Sequence, residues 1–141
     1  MRNETSISIS APTERVWAVM TDVERWPEWT PTVAEARRID SGDFRLGSKA
    51  RLKQPRVPSM TWTVTALESG RSFEWSTRAP GVRSAAGHRL IQQGTGSFVT
   101  LWVEQTGLVV RLMGSRFAEL AEEYLQIEAD GLKRRCEGTA S

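Results

Sequence analysis

The stretch Val16–Val33, which reads VWAVMTDVERWPEWTPTV, decides the fold of this chain. It holds three tryptophans and two prolines within eighteen residues. Pro27 and Pro31 prevent a helix from running far, because proline lacks the N–H that a helix interior needs and its ring clashes with the preceding turn. The composition therefore predicts two short helices with a tight connection, and not one long helix or a strand.

Polar residues next to this stretch indicate where each short helix begins. Ala11-Pro12 opens the first helix, since proline is tolerated in a first helical turn. Ser10 is the candidate cap of that helix. Asp22 is the predicted N-cap of the second, shorter helix.

One strand is predicted before the two helices and six after them. Thr5–Ser10 alternates polar residues with Ile7 and Ile9, which predicts a half-buried strand. Turn-forming residues separate most of the later strands, which are expected at Val33–Ile39, Ser48–Gln54, Met60–Leu67, Ser72–Thr77, Ala85–Gln93 and Phe98–Thr106. The short links Ser69–Arg71 and Gly94–Ser97 indicate hairpins, so the sheet should be antiparallel.

The segment Leu108–Glu137 is predicted to be one long amphipathic helix. Its apolar residues recur at spacings of three and four, as one face of a helix requires; they include Met113, Phe117, Leu120, Tyr124 and Ile127. A helix of this length measures about 40 Å, so it should cross the inner face of the sheet. Gly114 and Gly131 each cost it about 1 kcal/mol relative to alanine, which suggests that a neighbouring backbone or a ligand needs the room.

The composition indicates one globular domain spanning residues 1–141. Hydrophobic residues make up 39% and charged residues 26%, which is ordinary for a soluble protein. The sequence has no apolar run long enough for a membrane span, and its N-terminus lacks the apolar core of a secretion signal. Cys136 is the single cysteine, so an internal disulfide is excluded. We therefore expect a cytoplasmic location.

The order of elements and the tryptophan-rich motif resemble the START-related SRPBCC superfamily, in its polyketide cyclase/dehydrase and lipid-transport branch. The matching residues are Ala11-Pro12, Val16-Trp17, Thr21-Asp22, Trp26-Pro27, Trp29, Pro31, Gly47, Trp62, Val64, Gly96, Val99-Thr100 and Leu132-Lys133. The resemblance implies an α+β helix-grip fold, in which a curved seven-stranded antiparallel sheet wraps around the C-terminal helix and leaves a cavity. Two short helices follow the first strand. Members of the family bind lipids, sterols or polyketides, and some are cyclases, aromatases or hydrolases.

Side-chain alternation predicts which residues face that cavity. Trp62 shares a strand face with Val64 and Ala66, and His88 shares one with Leu90, opposite Arg89. Arginine is the poorer interior residue, so His88 and Leu90 should point inward. The expected ligand-binding residues are Trp29, Trp62, Val64, Phe73, Trp75, His88, Leu90, Leu101, Phe117, Ala121 and Tyr124.

Residues suited to catalysis are few. The chain has one histidine, and no metal-ligand spacing or GxSxG motif appears, so neither a metal nor a cofactor is expected. His88 is predicted to be a pocket-wall residue that orients a ligand, with a role as general base as the alternative. The hydroxyl of Tyr124 either faces the cavity or reaches solvent. Glu128 is expected at the solvated margin of the helix, but buried beside His88 it would give the best acid/base pair available.

Two surface features suggest other partners. Lys49, Arg51 and Lys53 share one strand face, which is predicted to be solvated, with phosphate binding as the alternative. Phe98 and Trp102 are predicted on the outer face of the sheet. A contact between two copies of the chain is one explanation of such a pair, and isolated surface aromatic residues are the other.

These patterns, together with the family resemblance, lead to three candidate functions. The first is a carrier or sensor of a hydrophobic small molecule such as a lipid or polyketide. The alternative is a polyketide cyclase or dehydratase that uses His88, Tyr124 and Glu128. Binding of nucleic acid or another acidic partner through Arg37, Arg38, Lys49, Arg51 and Lys53 ranks last, because the aromatic residues that would stack on bases are expected to point inward.

Overall fold

The seven strands form one antiparallel sheet in the computed structural model, which describes residues 1–138. In chain order the elements are β1 (Arg2–Ile9), α1 (Thr13–Thr21), a 3₁₀ helix (Val23–Glu28), β2 (Glu35–Arg38), β3 (Lys49–Lys53), β4 (Met60–Glu68), β5 (Ser72–Ala79), β6 (Val82–Gln93), β7 (Gly96–Thr106) and α2 (Leu108–Glu137). The strand order across the sheet is β1-β7-β6-β5-β4-β3-β2. Helix α2 packs along β1, β7 and β6. The predicted α+β helix-grip architecture and the predicted bounds of α2 are confirmed.

Several strands are longer than the sequence predicted, because their hairpins are tighter. Ala79 pairs directly with Val82, which leaves Pro80 and Gly81 as a two-residue turn. Gly81 adopts a φ of 78°, a left-handed conformation that glycine reaches without steric cost. Strand β6 therefore starts at Val82 and not at Ala85.

The predicted cap of the first short helix is wrong, whereas Asp22 lies at the N-cap of the second one, as predicted. Pro12 occupies the N-cap of α1, and its carbonyl accepts hydrogen bonds from the N–H groups of Arg15 and Val16. Ser10 lies too early to cap this helix, and its N–H donates to the Glu137 carboxylate. The second helix is a 3₁₀ helix that contains a proline, and the Asp22 side chain makes no capping hydrogen bond to it.

A β-bulge in β4 overturns one inward prediction. Val64 pairs with Trp75 and Ala66 with Glu74, so Thr65 is the extra residue. A bulge reverses the side-chain alternation beyond it. Ala66 is consequently exposed, and Leu67 packs against the core in its place.

The two glycines of α2 have different surroundings. At Gly131 a Cβ atom would overlap the backbone carbonyl of Trp29, so this position provides the room that the sequence suggested. At Gly114 a Cβ atom would meet little besides the flexible end of Met1. Met113, immediately before it, has non-helical backbone angles and marks a kink in α2.

The outer face of the sheet carries Trp102 over Gly87. A Cβ atom at Gly87 would overlap the Trp102 indole, so the ring covers the glycine. The Arg2 guanidinium lies 4.4 Å from the centre of the Trp102 ring. Trp102 therefore has a packing role within one chain, and the homodimer contact stays a prediction.

The basic strand face is solvated, as predicted. Lys49, Arg51 and Lys53 are exposed, whereas Ala50 and Leu52 between them are buried. No helix within residues 1–138 has the length and apolarity that a bilayer-spanning segment needs.

Candidate functional site

A cavity of about 390 Å³ lies between the sheet and α2. Four parts of the chain form its wall: the inner face of the sheet, Trp26 of the 3₁₀ helix, the Phe117–Glu128 segment of α2, and the β3–β4 connection, residues 54–59. Most of the wall is apolar or aromatic. This volume is in the range of cavities that hold small organic molecules.

Most of the predicted ligand-binding residues reach this wall. They are Trp62, Trp75, His88, Leu101, Phe117, Ala121 and Tyr124. Their positions follow from strand alternation and helical periodicity, the two patterns that the sequence displays directly.

Four other predicted ligand-binding residues, Trp29, Val64, Phe73 and Leu90, lie in the packed core and not on the cavity wall. Phe73 is fully buried because Phe44 and His88 pack against its ring. Trp29 packs against Gly131 of α2 through both its carbonyl and its ring. Inward direction therefore does not distinguish core from cavity, because other rings cover some inward residues completely.

His88 and Glu128 meet at this wall. His88 comes from β6, and Glu128 lies one helical turn beyond Tyr124 on α2. The His88 Nε2 and Glu128 Oε2 atoms are 3.6 Å apart, and the exposed fractions of the two side chains are 4% and 15%. The expectation that Glu128 is solvated at the helix margin is wrong, because this margin of α2 faces the gap above β6. Glu128 therefore lies buried beside His88, the arrangement that the sequence analysis described as the best acid/base pair available.

Aromatic packing holds the His88 ring in place. The ring stacks on Phe73 with centres 4.1 Å apart and planes 10° apart. Trp26 and Trp75 approach it at 5.7 and 6.3 Å. Its Nδ1 atom is buried and has no hydrogen-bond partner among residues 1–138. A catalytic histidine is commonly oriented by a hydrogen bond at the second nitrogen, and the described residues provide none here.

Tyr124 ties α2 to the β3–β4 connection. Its hydroxyl donates a hydrogen bond to the carbonyl of Pro55. Burial raises the pKa of this phenol, and the nearby Arg56 guanidinium opposes the rise. Arg56 also pairs with Glu123 at 3.2 Å. The Tyr124 hydroxyl is therefore used for closing the wall, although its ring faces the cavity.

A second polar position lies toward the other end of β6. The Gln105 Nε2 atom donates to Ser84 Oγ at 3.4 Å, and the Gln105 Oε1 atom is buried with no partner among the described residues. Ser84 and His88 share one strand face four residues apart, which is about 13 Å. The cavity thus offers polar groups some distance apart, with an apolar wall between them.

Sequence reasoning missed these residues for identifiable reasons. Ser84 is an even number of residues from His88, and Gln105 is an even number of residues from Leu101, so each shares the inward strand face of its partner. Ser84 was missed because β6 was predicted to start later, and Gln105 was missed because only apolar and aromatic residues were assigned to the wall. Arg56 lies in a connection, where no period predicts direction. Its left-handed φ of 69° has no sequence signal, since arginine seldom adopts it.

The remaining titratable groups do not add to the site. Cys136 is buried in the core, and burial raises the pKa of its thiol to about 11. Within residues 1–138 no three His, Cys, Asp or Glu side chains lie together in an arrangement that would hold a metal ion.

Solved structures share this fold over nearly the full length. A START superfamily protein from Mycobacterium smegmatis is 14% identical, with a TM-score of 0.82 and 97% of each chain covered. A protein from Thermus thermophilus is 16% identical, with a TM-score of 0.81 and 100% of each chain covered. Norcoclaurine synthase from Thalictrum flavum, solved with dopamine and hydroxybenzaldehyde, is 13% identical, with a TM-score of 0.76 and coverage of 100% of this chain and 88% of that one. At these identities the likeness concerns the fold.

A family match covers most of the sequence. Residues 2–137 match the family described as polyketide cyclase / dehydrase and lipid transport. The match includes the tryptophan-rich stretch, every strand and α2. The family and the START-like fold support a role in binding a hydrophobic ligand. The chain belongs to the polyketide cyclase/dehydrase and lipid transport family.

Proposed function

We propose that this protein binds a small, largely apolar molecule, such as a lipid or a polyketide-like compound, inside the cavity and acts as its carrier or sensor. The observation that carries the proposal is the cavity of about 390 Å³ between the sheet and α2. Protein interiors are normally close-packed. An apolar void of this size is costly unless something occupies it.

The chemistry of the wall supports binding more than catalysis. Trp26, Trp62 and Trp75 contribute indole rings to the wall, and aromatic side chains contribute strongly to apolar contacts. Polar groups on the wall are few, and the Tyr124 hydroxyl is bonded to the chain itself. Such a wall suits retention of a molecule.

The β3–β4 connection is the part of the wall suited to admitting the ligand. It is held to α2 by the Tyr124–Pro55 hydrogen bond and the Arg56–Glu123 pair. The Arg56 and Glu123 side chains are 61% and 51% exposed. An exposed ion pair contributes at most about 1 kcal/mol, so opening here costs less than separating the core.

A substitution that fills the cavity tests the proposal. Ala86 lies on the wall between Ser84 and His88, whereas Ala85 on the same strand points to the outer face. We expect Ala86→Phe to fold and to lose at least about tenfold in affinity for the neutral apolar probe N-phenylnaphthylamine, because its ring occupies the void. Ala85→Phe is the matched control and should bind the probe like the wild type.

Two measurements decide the outcome. Fluorescence titration gives the affinity of the probe, and thermal denaturation by circular dichroism verifies that each variant is folded. Equal affinities in wild type, Ala86→Phe and Ala85→Phe would place the binding outside the cavity. A wild type that takes up no apolar probe would also reject the proposal.

The second candidate is a cyclase or dehydratase, and the proximity of His88 and Glu128 favours it. At 3.6 Å, one group can accept a proton while the other stabilises the charge. This candidate predicts that His88→Ala still binds the apolar probe but loses turnover of a linear poly-β-ketone, followed by the absorbance of the aromatic product. Normal turnover by His88→Ala would exclude the pair as the catalyst.

A further inference from the structure

The Glu128 carboxylate is a charge in an apolar wall without a permanent counter-ion. Its side chain is 15% exposed, and it accepts no hydrogen bond from residues 1–138. Its ion-pair partner is His88, whose Nε2 atom lies 3.6 Å from Glu128 Oε2. A histidine carries charge only when it is protonated. A carboxylate that is mostly removed from water is unfavourable unless a cation or a hydrogen-bond donor compensates it.

The other charge on the wall does not compensate Glu128. Among the wall residues in the described part of the chain, Arg56 and Glu128 carry full charges. Arg56 pairs with Glu123 at 3.2 Å at the exposed β3–β4 connection. Glu128 lies five residues further along α2 than Glu123, about 7.5 Å along the helix axis. In the inner part of the cavity, the described wall residues therefore bring no fixed positive charge to Glu128.

Aromatic rings pack around His88, the residue that faces this carboxylate. Trp26 and Trp75 lie within 5.7 and 6.3 Å of the His88 ring that faces Glu128, measured between ring centres. Trp62 continues the cluster at 5.6 Å from Trp75. The faces of such rings are electron-rich and attract cations. A carboxylate together with several indole rings is an environment suited to an organic cation.

We infer that the molecule held in this cavity is an amine whose ammonium group lies against Glu128 and the Trp26–Trp75 rings. Its apolar body extends along β6 toward Ser84, where Gln105 Oε1 accepts a further hydrogen bond from a ligand donor. The amine is protonated at neutral pH, as a lysine side chain is. This inference rests on the proposed binding function and specifies its ligand class.

The preference for a cation is measured with three probes of one shape: phenylbutylamine, phenylbutanol and phenylbutanoate. Each displaces N-phenylnaphthylamine from the purified protein at pH 7. We expect the amine to bind at least about tenfold more tightly than the alcohol, because it gains both the carboxylate and the cation–π contacts. The carboxylate probe should bind more weakly than the alcohol, because Glu128 repels it.

Glu128→Gln isolates the contribution of the charge. This variant keeps the size of the side chain but removes its charge, so the ratio of the amine affinity to the alcohol affinity should fall to about one. Glu122→Gln is the matched control, since Glu122 is exposed on the same helix and lies off the wall. It should keep the full preference for the amine.

The outcomes separate this inference from the proposed function. Uptake of N-phenylnaphthylamine without a preference for the amine would overturn the inference and leave the binding function intact. A preference that persists in Glu128→Gln would overturn the assignment of the ammonium to this carboxylate. Failure of every probe, including the neutral one, would reject the proposed function itself.

Discussion

At the scale of single residues, Gly131 and Gly114 make a matched pair on α2. A Cβ atom at Gly131 would overlap the Trp29 carbonyl, whereas at Gly114 it would meet almost open space. Backbone cannot move aside as a flexible side chain can, and overpacking of this kind costs about 1–3 kcal/mol. We expect Gly131→Ala to lower the free energy of unfolding by this amount.

The Gly114→Ala control should move stability in the opposite direction. Alanine favours a helix over glycine by up to about 1 kcal/mol. Urea denaturation of both variants measures the two changes. Equal effects at the two positions would mean that α2 does not approach Trp29 at Gly131.

Residue-level patterns predicted the site unevenly. The alternation in β6 correctly placed His88 and Leu90 inward. It did not predict that Leu90 is enclosed by the core while His88 reaches the cavity, because that depends on which neighbours cover each side chain. The helical wheel likewise placed Glu128 at the edge of the apolar stripe, and only the gap between α2 and β6 decides that this edge is interior.

At the scale of elements, Arg38 organises the connection between β2 and β3. Its guanidinium donates to Asp40 Oδ2 at 2.9 Å, to the Gly42 carbonyl at 3.0 Å and to the Asp43 carbonyl at 3.4 Å. The Lys49 N–H donates to the other Asp40 oxygen at 3.0 Å. These bonds fix a turn-rich segment whose path no hydrophobic period specifies.

The same bonds make part of the stability depend on pH. The Arg38 hydrogen bond, followed by that from the Lys49 N–H, holds the pKa of Asp40 well below its usual 3.8. A lowered folded-state pKa gives stability that is present above the unfolded pKa and is lost as pH falls toward the folded one. Asp40→Asn should therefore be less stable than wild type at pH 7, by no more than about 1 kcal/mol because the pair is partly exposed.

This difference between Asp40→Asn and wild type should shrink as the pH is lowered from about 5 toward about 2, measured by urea denaturation at each pH. Asp43→Asn is the control, because only its backbone carbonyl takes part in the hydrogen bonds. A gap between Asp40→Asn and wild type that stays constant across the series would mean that the carboxylate contributes no charge-dependent stability.

At the scale of the whole molecule, occupancy of the cavity should be coupled to folding. A ligand that binds the folded chain alone stabilises it by RT ln(1 + [L]/Kd), about 2.7 kcal/mol when the free ligand is at about 100 times Kd. We expect saturating N-phenylnaphthylamine to raise the Tm of wild type by several degrees. The Ala86→Phe variant should show little change, because its cavity is filled. A probe that quenches or fluoresces but leaves the wild-type Tm unchanged would indicate surface adsorption.

The sequence by itself determined the order of the elements and the antiparallel pairing of the strands, because turn residues, alternation and helical period are local properties. The bounds of the long helix, Leu108–Glu137, were predicted to the residue, but its apolar spacing did not predict the kink at Met113. Local patterns also predicted most of the aromatic wall, including Trp62, Trp75 and Tyr124.

Only the tertiary structure decided where a cavity separates the sheet from α2. The bulge at Thr65 reverses the side-chain alternation of β4, and the Trp29 carbonyl packs against Gly131. The Tyr124 hydroxyl holds the β3–β4 connection to α2. Each of these depends on contacts between residues far apart in the chain, which no local period records. The same contacts bring Glu128 to within 3.6 Å of His88, and the chemistry of the cavity follows from that meeting.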